Sequence, residues 1–285
     1  MKLKRIDLSD IHNPVVLAGR LHELLGPLTS EVPVVDIARA LDIVDVRLAP
    51  FDGFEGMLLT DGHRSTGGIL ANTSKGNQRA RFTVAHELGH FQMERHQLSD
   101  ESGFRCSARD MRESRQGRQN LKQEAQANQF AISLLAPTYL IAPQLSPDPD
   151  LRDAKRLRDH LDVSLEACIR RMIDLRDEPL AAVWSNKGQV RYFVKGGGFP
   201  YVALKAGDRI PQTSVAFRAI TSGKAGFTNF AETHPHPWTG RTGFDLHEQT
   251  RVTASGHAVT LLRADIPDEN NDHGGLAELD VPGFR

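Results

Sequence analysis

The spacing of apolar residues along the chain predicts helices at several places before residue 180. Apolar positions in these stretches recur every three or four residues, as they do on one face of a helix. The predicted helices cover residues 14–25, 34–41, 82–91, 120–136 and, as a pair, 151–175. Two of them end at proline-containing breaks, Gly26-Pro27 and Ala136-Pro137, which mark helix boundaries.

Between the second and third helices the pattern alternates instead. Short β-favouring pieces surround the turn signals Asp52-Gly53 and Asp61-Gly62, and they predict a small antiparallel sheet whose last strand covers residues 68–72. If that strand lies at the sheet edge, it can hold an extended peptide by backbone hydrogen bonds.

Alternation returns after residue 178. Residues 179–265 predict a strand-rich α+β region with two hairpins, one turning at Asn186-Lys187-Gly188 and one at Gly256. The last residues, from Ala264 on, are acidic and rich in Gly and Asn, so we expect them to be loosely ordered.

Polar segments divide the chain further. Residues 97–123 are rich in Arg, Ser and Gln and predict a mobile surface loop, and Ser146–Asp150 has the composition of a linker. We therefore predict a first domain of residues 1–145, a helix-turn-helix-like segment of residues 146–178, and a C-terminal domain of residues 179–285.

Composition limits the partners and the compartment. A net charge of −1 creates no overall field that would attract nucleic acid or an anionic membrane. The two cysteines, Cys106 and Cys168, cannot form a disulfide framework, and no apolar run approaches a signal peptide or a membrane span. We therefore expect a cytoplasmic protein with reduced thiols and no membrane partner.

The helical pair at 151–175 has the layout of a helix-turn-helix. Its helices meet at Asp162-Val163-Ser164, where Ser164 suits an N-cap. Arg170 and Arg171 could contact phosphates, but acidic residues in the same segment dilute the positive charge on which such binding depends. We expect this pair to contact protein, with nucleic-acid binding through residues 152–176 as the alternative.

The predicted helix at 82–91 carries two histidines at the spacing of a zinc site. His86 and His90 are four residues apart, so their imidazoles leave the same face one turn apart. Two nitrogens so placed can bind one zinc ion at about 2.0–2.1 Å. Glu87 lies about 60° round the axis from His90, where it can reach a water on the ion. The pattern predicts a zinc hydrolase with Glu87 as general base, the alternative being a pair of core histidines.

Gly89 lies within this helix, although Gly in a helix interior costs roughly 1 kcal/mol relative to Ala. A close approach by another backbone, or by substrate, would explain its presence.

The helix at 120–136 carries our candidate for the third ligand. Glu124 shares one face with Ala127, Asn128, Ala131 and Leu135. Small residues let two helices approach closely, which a side chain reaching from one helix to a metal on another requires. We therefore predict Glu124 as a ligand, the alternative being an ordinary solvated glutamate.

His96 competes for that role, because His86-Glu87-x-x-His90-x5-His96 has the spacing of the metzincin proteases. In their pattern a Gly three residues after the second histidine ends the helix, and this chain has Met93 there. If the helix continues through Met93, His96 points about 240° away from His90. We therefore prefer Glu124, and Glu94, four residues after His90, is a further alternative.

The chain resembles the ImmA/IrrE family of zinc metallopeptidases over roughly residues 10–176. The motifs that carry the resemblance are Arg81-Phe82-Thr83-x-Ala85-His86-Glu87-Leu88-Gly89-His90, Glu124-x-x-Ala127-Asn128-x-Phe130-Ala131-x-x-Leu134-Leu135-x-Pro137 and Val163-Ser164-x-x-Ala167-x-x-x-Arg171-Met172. The resemblance implies a zincin-like α+β fold, zinc bound by His86, His90 and Glu124, and Glu87 as catalytic base. The long segment 97–123 departs from the family pattern.

The resemblance also implies a substrate. Members of this family cleave helix-turn-helix repressors after a stress or mobile-element signal, and some carry a sensor-like C-terminal domain that resembles GAF domains, for which residues 179–285 would be the counterpart. The alternatives are a DNA-binding transcriptional regulator with a structural or metal-sensing zincin fold, and a partner-binding module with a degenerate site. The intact Glu87 argues against the last.

Overall fold

The computed structural model describes residues 3–97, 103–106 and 118–267, and the chain divides into two compact units, 1–175 and 176–285. The unit boundary falls close to the predicted start of the C-terminal domain. The further division at residue 146 stays a prediction. The segment predicted to be loose at the C-terminus lies, from residue 268 on, outside the described residues.

The first unit combines helices with a small sheet. Its helices are α1 (Pro14–Leu25), α2 (Val34–Ala40), α3 (Asn77–Gln92), α4 (Arg118–Leu135), α5 (Thr138–Ile141), α6 (Leu151–Leu161) and α7 (Leu165–Asp174). Its strands are β1 (Ile43–Ala49), β2 (Gly56–Thr60), β3 (Gly67–Asn72) and β4 (Gly103–Cys106). Helix α3 packs against β2 and β3 on one side and against α4 on the other, which makes it the centre of this unit.

The strand order is β1-β3-β2-β4, and the sheet is mixed. Strands β2 and β3 pair antiparallel, as do β2 and β4, but β1 runs parallel to β3. The prediction of an antiparallel sheet was therefore wrong for β1, because alternation reports which face is buried and not the direction of a neighbouring strand.

Two expectations about the rim of this sheet also change. Strand β3 lies between β1 and β2, so it cannot be the edge that holds a peptide. In the described part of the chain, the edge next to β2 is β4. This strand falls in the segment predicted to be a loop at 97–123, of which residues 98–102 and 107–117 lie outside the described residues.

Side chains at helix starts explain several boundaries. The Asn13 side chain accepts hydrogen bonds from the amides of Val15 and Val16 at the start of α1. The Asp150 side chain accepts a hydrogen bond from the amide of Arg152 at the start of α6. The predicted N-cap Ser164 is confirmed, since its hydroxyl accepts from Ala167 N at 3.2 Å. Each cap satisfies an amide that the helix itself leaves without a partner.

The second unit contains a six-stranded antiparallel sheet. Its strands are β5 (Leu180–Asn186), β6 (Gln189–Lys195), β7 (Gly226–Phe227), β8 (Ala231–Thr233), β9 (Asp245–Val252) and β10 (His257–Asp265), in the order β6-β5-β10-β9-β7 with β8 also paired to β9. Helices α8 (Val215–Thr221) and α9 (His236–Thr239) complete the unit.

Both predicted hairpins of this unit are confirmed. Strands β5 and β6 turn at Lys187 and Gly188, which have φ values of 49° and 77°, as a two-residue hairpin turn requires. Strands β9 and β10 turn through Gly256. The core of the unit contains Val183, Trp238 and Leu262. A GAF-like identity for this unit stays a prediction.

In the part of the chain that the structure describes, no helix is both long and apolar enough to cross a membrane.

Candidate metal centre

The two histidines of α3 lie together at the buried face of that helix. His86 and His90 are both fully buried. Their Nε2 atoms are 3.1 Å apart, one turn of the helix from each other. The four-residue spacing therefore places the two imidazoles side by side on one face of α3, as predicted.

Helix α4 supplies a carboxylate to the same point. Glu124 Oε2 lies 3.2 Å from His86 Nε2, and Glu124 Oε1 lies 3.2 Å from His90 Nε2. The structure thus brings together the three residues predicted as ligands, from two helices that are far apart in sequence.

Small residues make this approach possible. A β-carbon added at Gly89 would lie 2.9 Å from Phe130 Cδ1 and 3.4 Å from Ala127 Cα. A larger residue at position 89 would therefore clash with the Phe130 ring and press against the backbone of α4 at Ala127. Of the two explanations for Gly89, a close approach by another backbone is the one observed.

These three side chains fit a divalent metal ion. Their ligand atoms all lie within 4.8 Å of one another. An ion bound at about 2.0–2.1 Å in tetrahedral geometry sets neighbouring ligand atoms about 3.3 Å apart, close to the 3.1 and 3.2 Å separations here. Among the described residues, no other group of three or more His, Cys, Asp or Glu side chains is arranged in this way.

The protonation states also suit a metal. Burial lowers the pKa of His90 to about 4, so its imidazole is neutral near pH 7. Burial alone would raise the pKa of Glu124, but the His86 and His90 imidazoles beside it outweigh burial and hold the pKa of this carboxyl below its ordinary value. A neutral imidazole and an ionised carboxylate are the forms that bind a divalent cation.

Glu87 lies beside this group and is fully buried. The start of β2 faces it closely, because a β-carbon added at Gly56 would lie 2.4 Å from Glu87 Oε1 and 2.4 Å from Thr83 Cγ2. Only a glycine at position 56 leaves room for the carboxylate in this position. The sequence contained no signal that connected Gly56 with the site.

A second residue of α4 orients His86. Asn128 Oδ1 lies 3.1 Å from His86 Nδ1 and can accept a hydrogen bond from it. With the proton on Nδ1, the Nε2 lone pair of His86 faces Glu124 and His90. Sequence reasoning had placed Asn128 on the correct helix face but had assigned it no role.

His96 does not belong to the group of ligand atoms. Helix α3 ends at Gln92, and Met93 at its C-cap has φ −85° and ψ 89°, so the assumption that the helix continues through Met93 was wrong. The chain turns back, and His96 Nδ1 lies 3.0 Å from His90 Nδ1, on the side of that ring away from Nε2. His96 is buried, whereas Glu94 is exposed.

Tyr139 and Arg81, two side chains of this unit that could donate a hydrogen bond to an oxyanion, have partners of their own. Tyr139 Oη lies 3.2 Å from His22 Nδ1. Arg81 forms an ion pair with Asp162 at 3.2 Å and donates to Val32 O at 3.0 Å.

Comparison with protein families agrees with this geometry. Residues 42–172 match the model of the Peptidase_M78 family, described as the IrrE N-terminal-like domain. No curated protein matches the chain. The matched range contains His86, Glu87, His90 and Glu124, and it ends within α7, so the strand-rich second unit lies outside it.

Proposed function

Because residues 42–172 belong to the Peptidase_M78 family, and so resemble the metallopeptidases of the ImmA/IrrE group as their motifs indicated, we propose that the protein is a cytoplasmic zinc metallo-endopeptidase. The convergence of His86, His90 and Glu124 on one point, with Glu87 beside it, is the observation that carries the proposal. A free thiol at Cys168 is in keeping with a reducing compartment.

The ligand set favours zinc. Two histidines and one carboxylate form a three-residue set that, in catalytic zinc sites, leaves a fourth position for water or substrate. When bound, zinc would supply a Lewis acid that lowers the pKa of that water and polarises the peptide carbonyl.

Glu87 provides the proton transfer. Its carboxylate takes the proton from the attacking water and then delivers it to the leaving nitrogen. Gly56 and Thr83 keep this side chain in place, because they border it directly. Asn128 holds His86 in the tautomer that offers Nε2 to the ion.

The proposed substrate is a helix-turn-helix transcriptional repressor, cleaved in a stress or mobile-element response. Resemblance to the ImmA/IrrE family supports this substrate. Strand β4, at the sheet edge beside β2 in the described part of the chain, is the place where an extended segment of such a substrate could add by backbone pairing.

The alternative of a DNA-binding regulator rests on the helical pair α6 and α7. Arg170 Nη2 pairs with Glu166 Oε1 at 2.9 Å, and Arg171 Nε donates to Ala136 O at 3.1 Å. The guanidinium groups of Arg170 and Arg171, the two considered for phosphate contacts, therefore have partners inside the first unit. A salt-dependent gel shift with sequence preference would nevertheless favour this alternative.

Replacement of Glu87 by Gln tests the proposed chemistry. We expect zinc to stay bound, since Glu87 is not one of the three ligands, and cleavage to fall by about 10²–10⁴-fold, the usual contribution of a general base. The measurement combines metal analysis with incubation of the protein with the helix-turn-helix repressor encoded beside its gene, followed by mass spectrometry of the fragments.

The matched control is Glu94→Gln, which makes the same change at an exposed position of the same segment. Its activity should equal that of the unaltered protein. Undiminished cleavage by the Glu87→Gln protein would show that Glu87 is not the base.

A further inference from the structure

A chain of three side chains leads away from the metal centre. His90 Nδ1 lies 3.0 Å from His96 Nδ1, and His96 Nε2 lies 3.2 Å from Gln126 Oε1. His90 and His96 are buried. Gln126 lies on α4, two residues after Glu124, so the series begins and ends at the two helices that form the site.

The donors and acceptors of this series depend on one another. The Gln126 oxygen can only accept, so His96 must carry its proton on Nε2. The Nδ1 of His96 then has a lone pair and accepts a hydrogen bond from His90 Nδ1. With its proton on Nδ1, His90 has an unprotonated Nε2, which is the atom that faces Glu124 and His86.

We propose that His96 is a positioning residue that, together with Gln126, holds His90 in the tautomer and ring orientation that offer Nε2 to the metal. This inference rests on the metal site of the proposed function. It extends that function to two residues that the three-ligand site does not include. His86 has its own orienting partner in Asn128, so α4 determines the orientation of both imidazoles.

A buried arginine holds His96 in place. Arg64, in the turn between β2 and β3, donates to Met93 O at 2.7 Å and also to His96 O. In the turn that follows α3, His96 N donates to Met93 O at 2.9 Å. The segment that leaves α3 is therefore tied by its backbone to the turn between β2 and β3, at the residue whose side chain contacts His90.

The position of His96 excludes it as a fourth ligand in this arrangement. It approaches His90 at Nδ1, whereas the candidate ligand atom of His90 is Nε2, on the other side of the ring. Metal-binding histidines usually donate their second ring proton to an acceptor of this kind, and loss of that acceptor typically costs 10–100-fold in metal affinity.

The test compares two substitutions that differ in the acceptor they offer. Asn at position 96 can place an oxygen where His96 Nδ1 lies, whereas Leu fills a similar volume and cannot accept. We expect His96→Leu to weaken zinc binding by about 10–100-fold and His96→Asn to stay within a few-fold of the unaltered protein. The zinc dissociation constant is measured by competition with a chromophoric chelator.

Gln126→Leu is a second variant, since Gln126 is only partly buried and its loss is tolerated more readily by the fold. It should weaken zinc binding less than His96→Leu does. The matched control is Gln129→Leu, the same change at an exposed position of the same helix, which should leave zinc affinity unchanged.

The outcomes separate this inference from the function on which it rests. Equal zinc affinity in the unaltered, His96→Leu and Gln126→Leu proteins overturns the positioning role while the metal site stands. An equal loss of zinc affinity in His96→Leu and His96→Asn also overturns the positioning role, if circular dichroism shows that both proteins are folded. Altered packing would then be the cause. If the unaltered protein binds no zinc, the proposed function itself fails.

Discussion

The two units of the chain each bury a carboxylate, and they give it opposite electrostatic surroundings. Glu124 in the first unit faces two imidazole nitrogens at 3.2 Å, and its pKa lies below the ordinary value despite the opposing effect of burial. Glu248 in the second unit is fully buried, and burial raises its pKa although it accepts a hydrogen bond from Val215 N at the start of α8.

The difference shows what distinguishes a candidate metal-binding carboxylate from one that belongs to no such site. Burial alone favours the neutral acid. The two imidazoles on the facing helix outweigh burial at Glu124, whereas the backbone amides and threonine hydroxyl at Glu248 do not. Among the described residues, no cluster of metal-binding side chains includes Glu248.

The same substitution at both sites should therefore have opposite consequences, and the larger is at Glu124. Replacement by Gln removes the negative charge and one ligand oxygen. We expect zinc affinity to fall by more than the 10–100-fold typical of residues outside the ligand set, with loss of detectable cleavage. The loss of zinc binding is measured by thermal unfolding with and without zinc, because zinc raises the Tm only when the folded protein binds it.

The Tm of the unaltered protein should rise with added zinc, and that of Glu124→Gln should not. An equal zinc-dependent rise in both proteins would mean that Glu124 is not a ligand, and the contrast between the two carboxylates would then disappear.

Glu87, a fully buried carboxylate on α3, extends the comparison, because its position depends on the absence of a side chain at Gly56. In Gly56→Ala the added methyl group would overlap Glu87 Oε1 and Thr83 Cγ2, each 2.4 Å away. We expect Glu87 to move, and the rate of cleavage to fall by about 10²-fold or more, as misplacement of a catalytic group by about 1 Å can cause. Zinc affinity should change little.

The control for this prediction is Gly68→Ala on the neighbouring strand, where the nearest atom to an added β-carbon is Asp45 O at 3.9 Å. That protein should cleave at the normal rate. If Gly56→Ala also cleaves normally, β2 does not position Glu87.

The smallest of these effects is expected at Glu248. The folded protein holds the proton of this carboxyl more tightly than the unfolded chain, whose pKa is near the ordinary 4.5. Stability is therefore lost as the pH rises from the unfolded-state pKa through the folded-state pKa. Glu248→Gln removes this pH-dependent loss of stability and keeps a side-chain oxygen that can accept the hydrogen bond from Val215 N. Relative to the unaltered protein, its Tm should be similar at pH 4 and higher by a few degrees at pH 8, as about 1 kcal/mol produces in a domain of roughly 100 residues.

Glu232→Gln, at an exposed position of β8, is the matched control and should follow the unaltered protein at every pH. A Tm difference for Glu248→Gln that is constant with pH, or that shrinks as the pH rises, would show that the carboxyl is not held in its neutral form.

Sequence patterns predicted the parts of the site that lie within single helices. The four-residue spacing of His86 and His90 and the alanine-lined face around Glu124 are local features, and the structure brings them together as expected. The hairpins at Gly188 and Gly256 were predictable for the same reason, because turn chemistry is encoded by a few adjacent residues.

Contacts between distant segments were not predictable in this way. The roles of Gly56 and Arg64 depend on how β2 and its following turn pack against α3, which no local periodicity reveals. The predicted direction of His96 assumed that α3 continues through Met93, but the helix ends at Gln92. The parallel pairing of β1 with β3 likewise depends on tertiary arrangement and not on the alternation within either strand.

The distance from the two histidines to Glu124 depends on the close contact between α3 and α4 at Gly89 and Ala127. It does not depend on the length of the backbone that connects these residues. A long stretch of sequence lies between His90 and Glu124. Insertions and deletions there leave the ligands in register as long as the two helices still meet. The length of that stretch can therefore vary without changing the distances among the three side chains.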